Sequence, residues 1–109
     1  MHSISVKTRR RNELIDITSQ ISRIVDDQDV VEGLVVVYVP HTTAGITINE
    51  NADPSVCHDI LLTLAELIPQ QQRGYQHSEG NSDAHVKATL VGSSVQVIID
   101  RGRMNLGTW

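Results

Sequence analysis

Leu34-Val35-Val36-Val37-Tyr38-Val39, followed by Asp53-Pro54, decides how the chain is read. The first is an unbroken apolar run dominated by β-branched valine, the pattern of a strand buried on both faces. It is far too short for a bilayer, which needs ~20 apolar residues. The second is a helix start: an aspartate can accept from the orphan amides of the first turn, and a proline at the first helical position forfeits no hydrogen bond. Val56, Ile60, Leu61, Leu64 and Leu67 then recur at helical spacing as a buried stripe, and Pro69 closes the helix.

Upstream, residues 2–8 alternate polar and apolar side chains at the period of a strand, 9–12 are polar enough to turn, and 13–18 alternate again, so a hairpin is expected. Thr18 or Ser19 is placed to cap a helix with Ile21, Ile24 and Val25 on its apolar side, and Gly33 marks its stop. Downstream, residues 46–50 resume the strand pattern after a turn over 41–45. Residues 70–82 read as loop, and 84–91 as a short helix capped by Ser82 or Asp83 and ended by Gly92, with a strand left open by periodicity. Residues 95–100 form a strand, Arg101-Gly102 a tight turn, and 104–109 its return. Strands and helices thus share one domain over residues 1–109.

Composition narrows the function. Among the 109 residues there is no Phe, and Trp109, Tyr38 and Tyr75 are the aromatic residues, so the core is aliphatic. A formal net charge of -4, with the basic residues scattered apart from Arg9-Arg10-Arg11, offers no broad face to nucleic acid. A lone Cys57 makes no internal disulfide, and no secretory leader pattern opens the chain; a cytoplasmic protein, not a membrane protein, is expected.

The histidines point to chemistry. His41 follows the apolar strand directly, at a strand end where side chains emerge into a cleft, and is either a ligand or a turn residue bonded to local backbone. Glu50 shares the Ile48 face of its strand, so it lies either at a wet edge or beside a cation. His77-Ser-Glu79-Gly-Asn-Ser-Asp-Ala-His85 brings two imidazoles and two carboxylates together around a glycine. That spacing matches no structural zinc motif and fits an open catalytic or substrate-binding metal site; the plainer reading is a polar loop before a capped helix. His58, beside Asp59, reads as a supporting or surface residue, and Cys57 as a small buried hydrophobe.

His41-Thr-Thr-Ala-Gly-Ile-Thr-Ile-Asn-Glu-Asn51, Asp53-Pro54, His58-Asp59, His77-x-Glu79-Gly80-Asn81, His85-x-Lys87, Leu90-x-Gly92 and Gly107-Thr108-Trp109 together resemble the YjbQ-like family, from about residue 4 to the last residue. The resemblance implies an α+β domain, an antiparallel β-sandwich like a jelly roll with flanking helices, assembled as a homotrimer. It also implies a divalent metal ion, zinc or magnesium, at the histidine pocket, and a secondary thiamine-phosphate synthase activity. That reaction joins a pyrimidine diphosphate to a thiazole phosphate and releases pyrophosphate. Family members usually continue past Gly-Thr-Trp with roughly two further strands, so this chain is expected to be shortened, with a sheet edge bared.

The expected site therefore has His41, His77 and His85 holding the metal against a small phosphorylated substrate, Glu50, Glu79 or His85 moving a proton, and Lys87 or Arg103 adding positive charge. The alternative is a trimeric metal- or metabolite-binding module without turnover. A phosphate-ester hydrolase using the same residues is a third reading.

Overall fold

The computed structural model describes every residue from Met1 to Trp109. Its elements run α1 (Thr18–Asp27), β1 (Gly33–Tyr38), α2 (Pro54–Leu67), α3 (Ser82–Val91), β2 (Ser94–Asp100) and β3 (Arg103–Met104). The strands form one sheet in the order β1-β2-β3, and the mixture of helices with an antiparallel sheet agrees with the α+β reading. The chain divides into two compact units, one comprising Met1–Val36 with Gln96–Trp109, the other Val37–Val95.

In the first unit α1 packs on β3, and Val25, Val97 and Ile99 are buried. The β2–β3 hairpin pairs Ile99 with Met104 and Asp100 with Arg103. Its turn puts Arg101 and Gly102 at φ 51° and 77°, the doubly left-handed geometry that matches the twist of a hairpin. The expected hairpin over residues 2–18 does not form: no strand occurs before β1. Alternation marks a face, but a strand exists only where a neighbour takes its amides and carbonyls. Here the Arg9 N–H instead donates to Glu13 Oε1 at 2.6 Å. Thr18 and Ser19 do not cap α1 either; Ile17 holds the cap position, and Asp16 Oδ1 accepts from the Thr18 amide at 2.9 Å. The helix ends at Asp27, well before Gly33, as the chain passes through Asp29 at φ 53°, a conformation that aspartate tolerates better than most residues.

β1 is buried on one face rather than two. Leu34, Val36 and Tyr38 are 54%, 54% and 64% exposed while Val35 and Val37 are half-buried, because a single sheet covers only every second side chain.

In the second unit α2 starts as its sequence dictates, with Pro54 in its first turn and Asp53 Oδ1 accepting from the Ser55 amide at 2.9 Å. The expected stripe is not buried: Val56, Ile60, Leu61 and Leu64 are half-covered, Leu67 is exposed, and Ile68, turned out of the helix at φ -130°, is the buried residue. Residues 46–50 are not a strand. The Ile46 N–H donates to the Gly92 carbonyl at 3.0 Å. The Glu50 N–H is taken by Asn49 Oδ1 at 2.7 Å, so a local side chain stands where a ladder would be. α3 ends at Gly92, whose φ of 96° lies where a side chain would strain the backbone. Immediately past it, Val39 donates to the Ser93 carbonyl at 2.8 Å, so the segment 39–46 is fastened at both ends to the chain leaving α3.

A Cβ at Gly45 would lie 2.9 Å from the Gly92 carbonyl oxygen and 2.9 Å from Val91 Cγ1. Gly45→Ala is therefore expected to cost about 1–3 kcal/mol in urea denaturation, because backbone has to move. The Asp53 carboxyl is held below its ordinary value of 3.8 by the hydrogen bond from the Ser55 backbone, then by the Ser55 side chain, against a small opposing effect of desolvation. With the folded value below the unfolded one, this stabilisation is present above 3.8 and is lost as pH falls through the lowered value. Asp53→Ala should lose helical circular dichroism less steeply than the parent chain in that acid range.

Candidate functional site

α3 and the loop before it place most of the candidate side chains, all within the second unit. Gly80 at φ 71° lets the chain turn from the loop into the helix, and Asn81, at the cap position, uses its carbonyl to accept from the Ala84 and His85 amides at 3.0 and 3.3 Å. The Asn81 Oδ1 atom is buried with no partner. His85 follows on α3 and meets His77 edge to face, with ring centroids 5.3 Å apart and planes at 87°. His77 Nε2 lies 3.5 Å from Glu79 Oε2, at the outer limit of direct contact and within reach of an ion pair when the imidazole is protonated. The sequence stretch that looked densest in chemistry thus does fold back on itself.

Beside it is a depression of about 160 Å³ lined by Gln70, Gln71, Gln72, Tyr75, His77, Gly80 and Ser82. Its walls carry amides, a phenol and a hydroxyl, groups that accept or donate hydrogen bonds to a polar ligand. A larger hollow of about 400 Å³, lined by Asp100, Arg101, Arg103 and Asn105, belongs to the first unit and is distant in sequence from these histidines.

The other candidates sit differently. His41 is exposed in the 39–46 segment, its Nδ1 3.1 Å from both the amide and the hydroxyl of Thr43. That segment is fastened at Gly92 and Ser93, past the C-terminal end of α3, whereas His85 lies about 10 Å back along the helix axis at 1.5 Å per residue. Glu50 is half-buried. His58 bonds Asp59 at 3.0 Å on the exposed side of α2. No group of three or more His, Cys, Asp or Glu side chains is arranged to hold a metal ion. His77 and His85 supply two imidazoles, one fewer than the usual three protein ligands of a catalytic zinc.

Lys87, expected to add charge for a substrate, has its ammonium 2.9 Å from Asp83 Oδ2. Asp83 is 1% exposed and Lys87 13%, and Asp83 is the one fully buried large side chain of the molecule. Asp83 does not cap α3; it is a structural partner. Sequence reasoning missed this pair, although its spacing of four residues on one helix face was the available signal.

An α+β chain with a histidine and carboxylate loop running into a helix defines the class. The chain belongs to the UPF0047 YjbQ-like family, whose model matches residues 2–109. It is 56% identical over 104 residues to a UPF0047 protein of Methanocaldococcus jannaschii, covering 95% of this chain and 75% of that one. To the UPF0047 protein YugU of Bacillus subtilis it is 44% identical over 109 residues, covering 100% and 83%. Among solved structures it is similar to an uncharacterised YjbQ/UPF0047 family protein of Clostridium acetobutylicum, with a TM-score of 0.93 and 53% identity, covering 95% and 80%.

Removing one member of the Asp83–Lys87 pair leaves the other charge buried. Lys87→Met should cost about 3–5 kcal/mol in denaturant unfolding, and adding Asp83→Leu to it should recover much of that loss, since the apolar pair leaves no charge without a partner.

Proposed function

We propose that the His77–Glu79–His85 cluster binds a small phosphorylated substrate and joins a pyrimidine diphosphate to a thiazole phosphate with release of pyrophosphate. The observation that carries this reading is the edge-to-face pair of His77 and His85, with Glu79 3.5 Å from His77 Nε2 and His77 itself lining the polar depression. In the reaction the thiazole nitrogen attacks the exocyclic methylene carbon of the pyrimidine. The C–O electron pair leaves with pyrophosphate, and the developing negative charge needs hydrogen-bond donors or a proton. His77, 3.5 Å from the Glu79 carboxylate, supplies a ring donor at the rim of the depression, and His85 is the second donor. Glu50 is a further proton carrier.

Several features accompany the proposal. A divalent ion, zinc or magnesium, would find two imidazole donors here, with oxygens of the substrate as further ligands. The alternating exposed Leu34, Val36 and Tyr38 of β1 support a homotrimer, because an apolar strand face left in water favours association. A sandwich would instead cover the same face with a second layer. Cys57 as the single cysteine fits a reducing cytoplasm.

One observation favours the second reading, a trimeric metal- or metabolite-binding module without turnover: His77 and Glu79 are well exposed, and a wet site strengthens charge interactions little.

The test is a synthase assay of purified protein with both phosphorylated substrates, reading pyrophosphate release. His85→Ala and His77→Ala are each expected to lower kcat about 100-fold. Full turnover by both variants removes the enzyme reading, and substrate binding without turnover by the parent chain selects the module. Elemental analysis of the same samples decides the metal, and light scattering near 36 kDa, three times the 12.0 kDa chain, would support the trimer.

A further inference from the structure

His41 leaves β1 through a tight turn in which its own N–H donates to the Val39 carbonyl at 2.9 Å across Pro40. Proline holds φ at about -65°, close to the centre of an inverse γ-turn. Two residues later the chain returns to the ring: the Thr43 amide nitrogen and Thr43 Oγ1 both lie 3.1 Å from His41 Nδ1. A backbone N–H carries its hydrogen permanently, so Nδ1 is the acceptor of that bond. The neutral imidazole then has its proton on Nε2, and its one ring lone pair is already engaged. A metal at Nε2 would require that proton to leave, and a metal at Nδ1 would displace the Thr43 amide.

We infer that His41 is a hydrogen-bond donor to an oxyanion through Nε2–H and not a metal ligand. Its Nε2 has no protein partner, whereas the Nδ1 side is closed. The segment that carries it is held by Val39 to Ser93 at 2.8 Å and Ile46 to Gly92 at 3.0 Å, and Gly45 leaves no space for a side chain against Gly92. A donor fixed in this way before the ligand arrives needs no reorganisation when it binds, which suits a phosphate or pyrophosphate oxygen. The tautomer stands on geometry alone; the phosphate class of ligand rests on the functional reading above.

The experiment uses the full chain with nitrogen-15 histidine and long-range nitrogen–proton spectra, then adds zinc alone and inorganic pyrophosphate alone. The free protein is expected to show His41 in the Nε2–H form, zinc to leave its ring signals in place, and pyrophosphate to move them. His41→Gln, which restores an N–H near the Nε2 position, should bind pyrophosphate within a few-fold of the parent chain, and His41→Ala should bind about 10-fold more weakly. A proton on Nδ1 in the free protein, zinc-induced shifts at His41, or equal weakening by Gln and Ala overturns the inference. Pyrophosphate that binds and moves His77 and His85 with His41→Ala unimpaired overturns it alone. No pyrophosphate binding by the parent chain overturns the phosphate reading and this inference together.

Discussion

The second unit depends on one charge taken out of water. Asp83 is almost wholly buried, and its carboxylate is held by Lys87 one helical turn later at 2.9 Å. A buried carboxylate is tolerable only with a partner of opposite charge at hydrogen-bonding distance, so the pair requires residues 83–87 to be helical and inward-facing. His85 lies between its two members in the chain. The helix that satisfies the ion pair is therefore also the helix that sets the ring of His85 against His77.

The other end of α3 organises a second feature. Gly92 takes a backbone conformation closed to most residues, and its carbonyl and that of Ser93 receive the amides of Ile46 and Val39. The loop between those amides has no regular structure, yet its ends are fixed and Gly45 lies against backbone. His41 stands in that clamped loop, with its Nδ1 3.1 Å from the amide and the hydroxyl of Thr43. One helix thus bears on both histidine-bearing segments, through His85 near its start and through Gly92 at its end.

Where local chemistry was strong, the sequence could be read directly. Asp53-Pro54 started α2, Gly92 ended α3, and Arg101-Gly102 turned the β2–β3 hairpin, because each of those residues answers a backbone requirement within a few positions of itself. Alternation without a partner was misleading: residues 2–8, 13–18 and 46–50 have the period of strands and form none. Burial was the harder quantity, since β1 shows the same valines whether one face or two are covered. At the site, the dense stretch from His77 to His85 was legible, while the engagement of Lys87 with Asp83 was hidden because both residues also suit a solvated helix face.

The sequence by itself determined the family, through long motifs in fixed order, and the points where helices and turns begin and end, through capping, proline and glycine. Tertiary structure alone decided which charges are buried, which face of β1 is covered, and which nitrogen of His41 is occupied. Those are properties of distance and solvent exclusion between residues far apart or folded back on one another. No residue carries them in its identity; they come into being when a particular neighbour displaces water.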